Sequence, residues 1–451
     1  MAPRELPSAS IADTVQFNQA IIVPNAVQGL FRRRPGPVGV ATRLGLDGRA
    51  VRLMEGLRAR YAPGPVWIRV MKDRVLLCLD VEDVARTLDG SPHPFASDPP
   101  AKRTGMGHFQ PDALTLSRGE LWENRRRFTE AVLETPAAVH SLAGGFLDVV
   151  VEETDRLLSV AAAEGGGTLD FEAWHAMFRR LTRRIVLGDH AAEDEEVSEL
   201  LASLMSEANG LPSEPSEIYP AYTERLDAYV EAAEPGSLVS LFAGAPHDVD
   251  TRAAGQATHW LFALQDTLAT NALRALALVA THPAQRAVVD RELEGDEAPY
   301  LAACLQEAMR LFPTTPLLSR ETLVDVAWHG TTVPKGTQVL IVNGFHHRDR
   351  ARLEYADRFA PEAWTEGDAG SERAFNHFSS GPQGCPGRNL ALLVGTAVLA
   401  QVLRGWPAVV VAGVADGLSP DAPLPYSLNP SALRFAARGP GGSGGGGVAD
   451  S

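Results

Sequence analysis

Lysine is nearly absent. Lys72, Lys102 and Lys335 are the only three in a 451-residue chain with 41 lysines and arginines together. That imbalance reads as a high-GC coding bias without structural meaning. Acidic residues outnumber basic ones, 56 to 41, for a formal net charge of -15. Such a balance argues against nucleic acid as a main partner and gives no reason to expect an anionic membrane surface. Cysteine is sparse and odd in number (Cys78, Cys304, Cys385), which argues against a disulfide framework and for a reducing cytoplasm. The N-terminal region lacks an apolar run long enough for a signal peptide or a membrane span, since Ile21-Ile22-Val23 stops at Pro24. No internal repeat is evident. What is plentiful is apolar residues, 45% of the chain, ample for one large domain or two or three ordinary ones.

One stretch stands out. Phe378-Ser379-Ser380-Gly381-Pro382-Gln383-Gly384-Cys385-Pro386-Gly387-Arg388 sets a single cysteine among three glycines and two prolines, and an almost wholly apolar run, Leu390 to Leu403, follows. Glycine permits tight turns and close backbone approach, and proline fixes φ and removes a donor. The stretch therefore reads as a stiff loop presenting one sulfur at the mouth of a buried helix. Free backbone N–H groups and the helix dipole there favour a thiolate, a good iron ligand. The plainer reading is a lone structural cysteine in a turn.

The loop resembles the haem-binding loop of the cytochrome P-450 superfamily, with Phe378, Gly381, Cys385 and Gly387 in the characteristic places. The resemblance implies that Cys385 is the axial ligand of haem b, that Phe378 shields the sulfur, and that Gln383 stands where a charged residue often binds a haem propionate. Thiolate ligation favours O–O cleavage.

Other motifs follow in the order that family has. Trp122 and Arg126 lie four apart on an expected helix, Glu120 to Leu133, so they share a face. Their indole and guanidinium suit a carboxylate or, as plainly, a charged surface. The pair is similar to the family's propionate-binding Trp-x-x-x-Arg. Ala253 to Thr281 reads as the longest helix, and its centre, Ala263-Leu264-Gln265-Asp266-Thr267, holds a carboxylate and a hydroxyl in apolar surroundings, where polar groups need partners. It resembles the family's central helix, which implies that Asp266 and Thr267 relay protons to dioxygen. Leu264 occupies the usual glycine position, so it narrows the pocket or the helix shifts. Glu307 and Arg310, three apart, can pair and match the family's Glu-x-x-Arg network. Its usual third arginine is Ala363 here, with another arginine as a substitute. By resemblance Arg320 reaches a propionate, with His377 as a weaker candidate, and Ala263, Leu264, Leu317, Leu318 and Phe109 line the substrate pocket. Ser91 to Thr115 reads as a long binding loop; for His108 within it, a surface or loop-packing role is the better reading.

The resulting expectation is a mostly α fold with a small β-rich side in a single large domain: residues 1–45 packed on it, 46–437 the haem domain, and 438–451 a disordered Gly-rich tail. The function implied is a soluble, cytoplasmic, monomeric haem-thiolate monooxygenase acting on a hydrophobic small molecule, a secondary-metabolite intermediate by inferred source. Its electrons come from a separate ferredoxin and reductase, or a flavodoxin, docked on Arg125, Arg127 and Arg388; a solvated face fits those arginines as well. The rivals are a haem-thiolate enzyme doing peroxide-driven oxidation, coupling or rearrangement, and a non-catalytic haem-binding protein.

Overall fold

The computed structural model describes residues 5–163, 167–212, 214–412 and 417–437. The Gly-rich tail and the end of the expected strand Val409 to Val414 lie outside the described residues.

Helices carry most of the chain. Helix α1 (Leu46–Tyr61) precedes a hairpin of β1 (Val66–Val70) and β2 (Asp73–Leu77), then α2 (Val81–Asp89). The stretch expected as plain loop instead holds β3 (Phe95–Ala96) and α3 (Pro100–Met106). Phe95 pairs with Thr322, and Pro100 sits in the first helical turn, where its missing N–H costs nothing. Next come α4 (Gly119–Val132), α5 (Ala143–Ala163), β4 (Thr168–Asp170) and α6 (Phe171–Leu187). The turn before helix α5 is tied locally: His140 Nε2 is 3.0 Å from Val132 O, and Leu142 N donates to His140 Nδ1 at 3.1 Å. Helix α6 starts on Asp170, whose Oδ1 accepts from Ala173 N at 3.0 Å.

After α7 (Glu195–Ala208) and α8 (Tyr219–Ala232) the chain enters its centre: α9 (Ala253–Phe262), a π-helical stretch Ala263–Leu268, and α10 (Ala269–Thr281). The three run on through right-handed backbone. Pro283 ends them, opening α11 (Pro283–Glu292), which leads to α12 (Pro299–Leu311). Strands β5 (Leu317–Thr322), β6 (Val326–Trp328), β7 (Thr331–Val333) and β8 (Gln338–Val342) follow, then α13 (Arg388–Gly405), β9 (Val409–Ala412) and β10 (Arg434–Ala437).

The main sheet runs β1-β2-β8-β5-β3, with β2 and β8 parallel and the other pairs antiparallel. The largest apolar cluster lies among the helices, and two smaller ones cover the faces of this sheet. Helix α13 is apolar nearly all round because neighbours cover it, as buried Leu390, Val394, Val398 and Leu403 attest. At Gly395 a Cβ would stand 2.7 Å from Leu305 Cδ2 and 2.9 Å from Leu268 Cδ1. The missing side chain lets α12, α13 and the π-helical stretch meet, which sets the cysteine loop beneath the central helix.

Candidate active site

The loop before α13 is closed by its own backbone. Cys385 N donates to Phe378 O at 2.7 Å, and Gly384 N to Gly381 O at 2.9 Å. Gly381 has φ +67°, and a Cβ there would come within 2.4 Å of Leu88 O, so only glycine fits. Two outside groups fasten the loop: Arg126 Nη1 donates to Gly384 O at 2.7 Å, and Thr135 Oγ1 to Pro386 O at 2.8 Å. The Arg388 guanidinium lies 5.7 Å from the centre of the Phe378 ring.

Cys385 is exposed by area, yet burial is the largest influence on its pKa. Both hold if the sulfur faces an internal hollow and not the outer surface. Burial pushes its pKa up, while a Gly387 N–H donor and the Arg126 and Arg388 charges pull it down. Desolvation outweighs those donors here, and a metal cation at the sulfur would favour its ionised form.

Sequence-predicted residues converge on this loop from several elements. Arg320 on β5 is 2% exposed; its Nη2 donates to Ser379 Oγ at 3.2 Å and its Nε to Ser91 Oγ at 3.0 Å. Gln383 Nε2 donates to Ser97 Oγ at 3.3 Å, while its Oε1 is buried without a partner. On α4, Trp122 is half-buried, and Arg126 also bonds Glu130 at 2.6 Å. These groups suit a cofactor with one iron and two carboxylates: a lone sulfur to hold the metal and guanidinium donors beside its loop. Haem b fits that donor set.

Other expected residues fall elsewhere. The His377 ring packs 5.3 Å from Trp364 and 6.2 Å from His347, burial holds its pKa well below the usual value, and its Nδ1 is buried without a partner. Arg125 is not an exposed docking group. It is 5% exposed and donates to Ser117 Oγ at 3.0 Å and Asp112 Oδ1 at 2.8 Å. Phe109 is fully buried between Phe31 and Phe262, each ring centre 6.0 Å away. Leu317 and Leu318 are neighbours on one strand and pack against different apolar clusters, so they do not line one wall together. His108 bonds Glu207 at 2.7 Å, a packing contact.

The central helix resolves the Leu264 question by shifting. Its backbone widens into the π-helical stretch Ala263–Leu268, and Leu264, 6% exposed, turns into the helical core. Asp266 Oδ1 meets His175 Nε2 of α6 at 2.9 Å, and its Oδ2 accepts from Gln265 Nε2 at 3.3 Å. The His175 ring stacks on Phe171 at 5.4 Å. Thr267 is half-buried, next in the chain to this acid.

Behind the loop, Glu307 and Arg310 are wholly buried and doubly bonded, at 2.7 and 2.6 Å. Arg310 also donates to His347 O at 2.8 Å and Ala356 O at 3.0 Å. The third member is a tryptophan and not an arginine: Trp364 Nε1 donates to Glu307 Oε2 at 2.8 Å, beside Ala360 N at 3.0 Å. Sequence reading missed Trp364 and His175. Trp364 adjoins Ala363 and was within reach of a wider motif; His175 lies 91 residues from Asp266 and left no local signal.

Comparison with known proteins agrees with this geometry. Residues 250–417 match the family model for cytochrome P450. A fruit-fly protein, probable cytochrome P450 4s3 of Drosophila melanogaster, is 33% identical over 164 residues, 35% of this chain and 33% of that one. Cyclooctat-9-en-7-ol 5-monooxygenase of Streptomyces melanosporofaciens is 26% identical over 339 residues, 65% of this chain and 72% of that one. The chain thus matches about a third of the length of the animal relatives. Among solved structures, the cytochrome P450DA heme domain superposes with a TM-score of 0.69 at 19% identity, covering 86% of this chain and 92% of that one. Among the described residues no helix is long and apolar enough to cross a membrane. The cysteine loop and these relatives liken the chain to the cytochrome P450 family, whose members carry haem b, and the superposition shows the same fold.

Proposed function

We propose that the protein is a haem-thiolate monooxygenase. It takes dioxygen, two electrons and two protons, places one oxygen atom in a hydrophobic organic molecule and releases the other as water. The observation that carries this reading is the closed loop around Cys385, its backbone locked to Phe378 and Arg126. When bound, haem supplies the iron at which dioxygen is cleaved, and sulfur ligation favours that cleavage.

The chain's own residues do the rest. Phe378 and Arg388 cover the loop, and the Gly387 N–H steadies the sulfur. Trp122, Arg126 and Arg320 bind the cofactor's carboxylates. Asp266 holds a proton at its carboxylate, takes its replacement from His175 Nε2, and hands it on beside the Thr267 hydroxyl.

Electrons come from a separate acidic carrier, a ferredoxin with its reductase or a flavodoxin. Exposed Arg127 and Arg388 near the cysteine face remain its docking charges. The Streptomyces relative is named for oxidation of cyclooctat-9-en-7-ol, a mostly hydrocarbon alcohol, which supports a hydrophobic secondary-metabolite intermediate as substrate. The test is spectroscopic. Reduced, carbon-monoxide-treated protein should show the thiolate-type Soret band and Cys385→Ser should lose it; a normal band in that variant would overturn the reading.

A further inference from the structure

Charges beside the cysteine loop balance in one place and not in another. Asp98 and Glu321 are shared by Arg103 and Arg118. Arg103 Nη1 is 3.2 Å from Asp98 and 3.1 Å from Glu321; Arg118 is 2.7 Å from Asp98 and 2.8 Å from Glu321. Two carboxylates meet two guanidiniums, and that cluster is closed.

Lys102 and Arg320 lie inside it with no such partner. Lys102 Nζ donates to Ser97 O at 2.9 Å, to Thr115 Oγ1, and weakly to Thr115 O at 3.4 Å. Arg320 donates to Ser91 Oγ, Ser319 O and Ser379 Oγ. Every acceptor is neutral, and among the described residues neither cation has an ion pair. Arg320 spends three of its five N–H groups, so two remain. Ser97 links the parts: its carbonyl holds Lys102 and its hydroxyl holds Gln383. Lys102 therefore stands beside the residue two positions before Cys385, where this chain lacks a charge. Two enclosed cations that repel each other and bond to no carboxylate are costly, and the arrangement makes sense around a carboxylate.

We propose that Lys102 and Arg320 form one carboxylate-binding site whose occupant is a propionate of the haem, with Lys102 supplying the charge that Gln383 lacks. This rests on the haem-thiolate reading above. Trp122 and Arg126 approach the loop from a different helix, so they do not substitute for it.

The electrostatics agree. Burial, then the Arg320 charge, pushes Lys102 down to about 7, with Asp98 pulling it back up; burial alone pushes Arg320 down to about 10. The other charged or titratable groups around Lys102 are the paired Arg103, Arg118 and Glu321 and, from the central helix, His259, held near 4 by burial and by Lys102 itself. A carboxylate arriving beside Lys102 raises its pKa. Haem uptake then consumes a proton there, and affinity falls as pH rises above about 7.

The test is the rate at which haem leaves the ferric holoprotein for excess apomyoglobin. Wild type is compared with Lys102→Met, Lys102→Arg and the exposed control Lys72→Met, each with matched circular dichroism. Lys102→Met should lose haem about tenfold faster or more, Lys102→Arg should recover most of the loss, and Lys72→Met should match wild type. Reconstitution with the dimethyl ester of haem, which has no carboxylates, should abolish the difference. If Lys102→Met keeps haem like wild type, the proposal is wrong, and a thiolate-type Soret band in wild type would leave the parent reading standing. If Lys102→Met instead weakens only the binding of carboxylate-bearing organic ligands, the occupant is a substrate and the proposal is overturned. Should Lys102→Met misfold, the pH dependence of haem uptake by wild type decides: a flat profile from pH 6.5 to 8.5 counts against it.

Discussion

Glu307 lies where no water reaches, so each of its donors matters. Arg310 provides two, Ala360 N a third and Trp364 Nε1 a fourth. Trp364→Phe keeps the packing and deletes one donor from a buried carboxylate. It should lower stability by about 1–3 kcal/mol, read from urea unfolding; an unchanged midpoint would show that the indole is not the network's third member. A different residue-scale prediction concerns the proton path. Asp266→Asn should slow coupled turnover by about 10²-fold and raise peroxide released per dioxygen consumed. Thr267→Ala should raise peroxide as well. His175→Phe removes the only side chain outside the central helix that bonds Asp266 among the described residues. It should shift the same partition in the same direction while leaving the carbon-monoxide spectrum intact. Coupling equal to wild type in His175→Phe would place the proton supply elsewhere.

At the scale of elements, the central helix and α13 owe their relation to what is missing at Gly395. Gly395→Ala drives a methyl into Leu305 and Leu268, both buried. Overpacking of that kind should cost about 1–3 kcal/mol and loosen haem retention, because α13 carries the cysteine loop; thermal unfolding of the holoprotein would register both. How much of this was legible in the sequence depends on range. The loop at Phe378–Arg388 was readable because glycine and proline act locally, and Gly381 is fixed by its own φ and one nearby carbonyl. The Arg125 assignment failed because its face of α4 is covered by Ser117 and Asp112 from the turn before the helix, a fold-level fact. Leu264 signalled a shift without its form: whether a helix kinks or widens into a π turn is decided by neighbours such as α6, and not by the five residues themselves.

Across the whole molecule, the side behind the cysteine loop stores neutral histidines. Burial is the chief cause at each: His346 is pushed down to about 4 and His347 to about 3. Both rings are enclosed, His346 near Cys78 O at 3.3 Å and His347 accepting from Asn376 N at 3.2 Å, so protonation demands that the structure open. The sign follows directly. Folded pKa values lie below the unfolded value near 6.5, so the unfolded chain binds protons that the folded chain refuses. This stability is complete above about pH 6.5 and is lost as pH falls toward the folded values. Each histidine contributes a slope of about 1.4 kcal/mol per pH unit across that window. Carboxylates held low by arginines, such as Asp349 and Asp357, add acid sensitivity only near and below pH 4, so the two effects separate on the pH axis. Unfolding free energy from urea titrations should therefore drop steeply between pH 6.5 and 4.5, with about four protons taken up on unfolding, since buried His259 and His377 are held low as well. His346→Asn should flatten that slope by about one proton even if it lowers stability at pH 8. A wild-type curve flat down to pH 4.5 would mean that these rings are already charged in the folded protein.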